Sequence, residues 1–184
     1  METRDYNGPG DWSSVAIRRR YLEHAKRLRL TRVAELETAE HTEGGVRWVY
    51  PLMEGVISGI ERGDLACIEL GVEFVESGHQ QPFGRILHSN AARALRRATL
   101  SSAQVDRLRR RILAMLVAGQ VPHEFKQYAK LLRRLGLGEA WEQAKTQIDR
   151  SNPYVMRYAR YFEACTKPDS ATNLQGHRTR PPGA

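Results

Sequence analysis

A chain of 184 residues with 41% hydrophobic side chains is of single-domain size and apolar enough to close an ordinary core. Its apolar runs are all shorter than the roughly eighteen residues a membrane span needs, and METRDYNGPGDW has no basic region followed by an apolar one. The expectation is therefore a protein of the cytoplasm whose charge of +8 favours acidic partners: nucleic acid, anionic protein or headgroups.

Gly8, Pro9 and Gly10 separate a flexible N-terminus, residues 1–12, from a single helical domain expected over 13–165. Asp11 or Ser13 can cap a first helix from about Ser14, where Ile17, Tyr21, Leu22, Ala25 and Leu28 recur at helical spacing. Thr31 to Thr42 reads as a short, mostly solvated helix rich in glutamate, ended by Gly44 and Gly45. Trp48, Leu52, Val56 and Ile60 then step by fours, and Pro51 suits the first turn of that helix. Gly63 and Asp64 stop one helix and cap the next, about Leu65 to Glu76, whose broad apolar stripe predicts neighbours on two sides.

SGHQQPFG, residues 77–84, is a breaker-rich connection. Helices are expected from about Phe83 to Ala98, Ser102 to Ala118 and Pro122 to Leu135, the second opened by a capping box of Ser101 and Gln104. Trp141, Ala144 and Ile148 mark a shorter helix, and Asn152 with Pro153 opens the last, carrying Val155, Tyr158, Ala159 and Phe162. Residues 166–184 are polar and irregular, the composition of a disordered tail. No stretch alternates with period two. The fold expected is all-α: an antiparallel bundle or short superhelix of about eight or nine helices.

The succession of paired helices and short turns over about residues 46–165 resembles HEAT-like helical repeats. That resemblance implies a curved superhelix with a concave binding surface and carries over no catalytic residue.

Charge is unevenly placed along the chain. Residues 31–80 hold three basic and ten acidic side chains, whereas 81–134 hold twelve basic and two acidic. The two blocks either neutralise one another across the stack or form separate functional faces. Arginine outnumbers lysine in the basic block, which suits bidentate contact with carboxylate or phosphate. Arg93, Arg96, Arg97, Arg110, Arg133 and Arg134 are the candidate partner-binding residues.

A second candidate is a polar pocket at the 77–90 loop, using His79, Gln81, Arg85, His88 and Asn90. Glu69, Glu73 and Glu76 share one helix side, the most plausible place for paired acid/base carboxylates, and read as a solvated or salt-bridged face. Tyr128, Tyr154, Tyr158, Tyr161 and Phe162, interleaved with Arg157 and Arg160, read chiefly as core with one wet edge. The six histidines are scattered, with no HExxH, and Cys67 and Cys165 lack zinc spacing and read as small buried residues. Walker, GxGxxG and GxSxG motifs do not occur, so no cofactor is expected.

The leading expectation is a non-enzymatic scaffold that binds another macromolecule, an acidic protein, through the basic helices. A nucleic-acid-binding module using the same arginines is the alternative, and a small helical enzyme with its pocket at the 77–90 loop is the third.

Overall fold

The computed structural model describes residues 2–78 and 83–166. Side-chain caps set the helix starts much as the sequence implies. Helix α1 (Ser14–Arg27) begins where Ser13 Oγ accepts the Ala16 N–H at 3.3 Å. Helix α2 (Met53–Glu61) follows Pro51, and α3 (Leu65–Ser77) is capped by Asp64, whose Oδ1 accepts the Cys67 N–H at 2.9 Å. After α4 (Gly84–Leu95), α5 (Ser102–Val117) opens with the full capping box of Ser101 and Gln104. Helix α6 (Phe125–Leu135) starts three residues later than Pro122 suggests. The last two are α7 (Ala140–Gln147) and α8 (Pro153–Thr166), with Asn152 Oδ1 accepting the Tyr154 N–H at 3.0 Å.

These eight helices, counted among the described residues, alternate between two layers. Helices α1, α3, α5 and α7 neighbour one another in sequence order, as do α2, α4, α6 and α8 in the second layer. Across the layers α3 meets α2 and α4, while α5 meets α6 and α8. Each helix therefore packs on the one two places further along, an order consistent with a helical repeat architecture.

Helix α3 is the hub. It touches α1, α2, α4 and α5, and its residues 66–72, 74 and 75 are all buried. The neighbours on two sides expected from its sequence are in fact neighbours on nearly every side. Its approach to α2 is close enough to require glycine. A Cβ at Gly59 would lie 2.3 Å from Cys67 Sγ and 2.9 Å from Cys67 Cβ, and one at Gly71 would lie 2.5 Å from Ile60 Cδ1. Around this contact one core runs from Trp12 and Ile17 through Phe74, Leu95, Leu108 and Leu132 to Trp141 and Phe162.

The all-α expectation needs correction at the N-terminal third. Strands β1 (Glu2–Asp5), β2 (Glu40–Glu43) and β3 (Val46–Val49) form a sheet of order β1-β3-β2, parallel between β1 and β3 and antiparallel between β2 and β3. Residues 2–5 of the N-terminus expected to be flexible thus form one of the sheet's two edge strands. Gly44 and Gly45, at φ +56° and +79°, are the two-residue turn of a hairpin, which demands positive φ at both positions. Trp48, placed by its spacing on a helix, stands in β3.

Residues 31–39 form no helix; they run as a strap along α1. Tyr21 Oη accepts the Ala34 N–H at 2.8 Å and donates to Asp64 Oδ2 at 2.8 Å, and Arg18 Nε donates to the Leu36 carbonyl at 2.9 Å. These tertiary bonds replace the intrahelical ones, and Leu36 is buried by the arrangement. Burial and the neighbouring Asp64 push the Tyr21 phenol up to about 12.

Smaller differences follow from packing. Leu22 and Leu28 of α1 are exposed although their spacing puts them near the apolar face, and Cys165 is exposed where it was expected buried. Cys67 is buried as expected. The tail expected from 166 onward lies outside the described residues beyond the end of α8. Among the described residues no helix is long and apolar enough to cross a membrane.

Gly59→Ala should lower the unfolding free energy by about 1–3 kcal/mol, because overpacking against the Cys67 side chain at the α2–α3 contact outweighs the better helix propensity of alanine. Gly71→Ala should cost less, since its neighbour is the far end of the flexible Ile60 chain. Urea denaturation of both variants, and of Gly59→Ala combined with Cys67→Ala, measures the order: the second change should return part of the loss.

Candidate functional site

The carboxylates of α3 decide which cations remain available. Glu69, Glu73 and Glu76 lie on the edge of α3 facing α1 and α5. Arg107 of α5 bridges two of them: its Nε donates to both Glu76 oxygens at 3.0 Å and its Nη1 bonds Glu69. Gln104 Nε2 donates to Glu69 Oε2 at 2.7 Å, and Arg27 stands 3.8 Å from Glu69. Arg20 Nη1 and His24 Nε2 reach Glu73 at 3.2 Å and 2.9 Å. Arg20 also covers the Trp12 ring at 4.2 Å. The acidic and basic blocks thus neutralise one another in part, the first of the two arrangements considered from charge alone.

The six candidate arginines do not act as one group. Arg97 stands 3.6 Å from Glu61, at a separate shallow cavity with Arg62 and Thr99. Arg93 bonds Asn90 Oδ1 of its own helix. Arg110 is exposed on α5, in the other layer. Arg96, Arg133 and Arg134 do converge, lining with Lys130 and Tyr161 a depression of about 540 Å³.

A smaller depression of about 170 Å³ adjoins it, sharing Lys130 and Tyr161 and adding Lys126, Ala129, Arg157 and Tyr158. Together they make one groove on the layer of α4, α6 and α8. Among the described residues no acidic side chain forms an ion pair with Arg96, Lys126, Lys130, Arg133, Arg134 or Arg157. The lysines were not singled out from sequence, yet Lys126, Lys130, Arg133 and Arg134 fall on one helix face at i, i+4, i+7 and i+8. Arg133 lies 5.9 Å from the Tyr161 ring centre and Arg157 6.0 Å from that of Tyr158.

Of the five residues proposed for the 77–90 pocket, the structure describes Arg85, His88 and Asn90. His79 and Gln81 lie outside the described residues. Arg85 is exposed, and Asn90 faces Arg93. Only His88 enters a cavity, one of about 770 Å³ whose remaining polar lining comes mostly from α5 and α6 and the approach to α8: Arg111, Gln120, Glu124, Tyr128, Asn152 and Tyr154. His88 is 4% exposed and stacks on Phe74 with ring centres 4.1 Å apart. Burial and the charge of Glu124 push the Tyr128 phenol up, while Arg111 pulls it down. Among the described residues no three His, Cys, Asp or Glu side chains are grouped to hold a metal ion.

Burial pushes the Glu69 carboxyl up, but the hydrogen bonds from Gln104 and Arg107 and the charges of Arg107 and Arg27 outweigh it and hold the group below the usual glutamate range. A depressed folded-state pKa stabilises the fold above the unfolded value of roughly 4.3, and that contribution is lost as pH falls through the lower folded value. Chemical denaturation between pH 7 and pH 3 should therefore show an acid-side loss that Glu69→Gln reduces. Arg107→Met at pH 7 should cost roughly 1.5–3 kcal/mol, since it strips two carboxylates of their charged donor.

Comparison of the chain with protein-family models, with curated proteins and with solved structures finds no match, so a functional reading rests on the placement of these side chains.

Proposed function

We propose that this protein is a non-enzymatic helical scaffold that holds an acidic protein segment in the groove of α4, α6 and α8. One observation carries the reading. The cations of that groove have no acidic partner within the described residues, whereas those facing α3 and α2 are engaged by glutamates. The fold has already neutralised the charge that α3 brings into the packing, and six of the remaining cations gather in one concavity. The alternation of helices between two layers supports the HEAT-like reading of residues 46–165, in which such a concavity is the binding face.

Acidic protein is favoured over nucleic acid by the two tyrosines. Single-stranded nucleic acid needs open aromatic faces for its bases, and here guanidinium groups lie near Tyr158 and Tyr161. Ala129, Tyr158 and Tyr161 instead supply a small apolar seat among Lys126, Lys130 and Arg157, the size for one anchoring side chain. Carboxylates along the peptide would meet Arg96, Arg133 and Arg134 in bidentate geometry.

Fluorescence anisotropy tests this with the full chain and a labelled peptide of glutamates and aspartates around one leucine. Arg133→Glu with Arg134→Glu should weaken binding by about tenfold or more at low salt, a loss of roughly 1.4 kcal/mol or greater. Arg110→Glu, on the other layer, should change it little. Equal loss from both variants would defeat the proposal, as would tighter binding of an RNA or DNA oligomer of matched charge.

A further inference from the structure

The large cavity beside α5 and α6 holds a feature that core packing does not account for. Glu124, 7% exposed, stands at the N-terminal end of α6, yet its side chain makes no capping hydrogen bond there. Its Oε2 is sealed from solvent and has no hydrogen-bond partner among the described residues. A carboxylate in that condition costs free energy in the fold and calls for a donor from elsewhere. In the same cavity Arg111 presents a cation whose Nε is likewise buried with no hydrogen-bond partner among the described residues. Its guanidinium is pressed against Gly78 so closely that a Cβ there would lie 2.3 Å from Nη2. The two opposite charges are not paired with each other. They share a space of about 770 Å³, within the volume of small-molecule sites, with Met115 and Val121 among its apolar lining.

We propose that this cavity binds a small amino-carboxylate zwitterion, its ammonium donating to Glu124 and its carboxylate accepting from Arg111. A ligand carrying only one of these charges would leave the other buried group unsatisfied, and a neutral one would leave both. Tyr128 and Asn152, which line the same cavity, offer neutral hydrogen-bonding groups for the body of the ligand. The site is separate from the basic groove, whose lining residues it does not share. Two sources carry this chemistry, a free amino acid and the ends of a short peptide.

Calorimetric titration of the full chain with L-phenylalanine, L-methionine and the dipeptide Gly-Tyr distinguishes the sources, with N-acetyl-L-phenylalanine and L-phenylalanine amide as probes lacking one charge each. Binding of at least one zwitterion is expected, weakened about tenfold or more when either charge is blocked and by a similar factor in Glu124→Gln. Preference for the free amino acids or for the dipeptide assigns the source. In the absence of ligand Glu124→Gln should leave the thermal midpoint equal or higher, because an unsatisfied carboxylate is removed. No binding of any zwitterion at millimolar concentration would overturn the proposal. So would capped probes binding as well as zwitterions, or a ligand-free Glu124→Gln chain that melts lower, which would make Glu124 a structural residue.

Discussion

The constraint on which the rest of the molecule depends is the burial of α3. A helix enclosed by four others cannot keep carboxylates on its surface unless cations come to meet them, and α3 carries Glu69, Glu73 and Glu76. Arg107 from α5 and Arg20, His24 and Arg27 from α1 supply that charge, so the polar edge of the hub ties together three members of one layer. On the side facing α2 the opposite condition holds. Gly59 and Gly71 remove side chains so that the two backbones come close. The hub is therefore located by charge on one side and by close approach on the other.

From that arrangement the division of the arginines follows. Those on α5 and α1 that face α3 serve the fold. On the second layer Arg96, Arg133, Arg134 and Arg157, beyond the reach of the α3 glutamates, remain in the groove between α4, α6 and α8. A net charge of +8 thus understates the local field, because neutralisation is concentrated in the first half of the stack. Helix α6, which lines the groove, also lines with Tyr128 the cavity in which Glu124 and Arg111 stand apart. Packing that satisfies nearly every charge around α3 leaves these two unsatisfied.

The helices were legible because their starts are written in short-range chemistry. Ser13, Asp64, Ser101 and Asn152 cap the helices whose first turns they precede. The strands were not. All four residues of β2 are exposed, and of β3 only Val49 is buried, so no apolar alternation marked them. The Gly44-Gly45 pair was the available signal, read as a helix stop when it was a hairpin turn. The glutamates of residues 35–43 favour helix locally, but Tyr21 and Arg18 bind the strap at Ala34 and Leu36 and residues 40–43 pair with β3, bonds formed only after folding.

By itself the sequence determined the helical class, most of the places where helices begin, the broad apolar stripe of α3 and the clustering of positive charge in one third of the chain. All of these depend on neighbours within a few residues or on composition. Tertiary structure decided the sheet, and it decided which arginines are occupied. Arg107 and Arg134 look alike in sequence, yet one faces a glutamate 38 residues away and the other faces an open groove. Partnership between charges is a property of distance in space, and only the packing of the layers sets those distances.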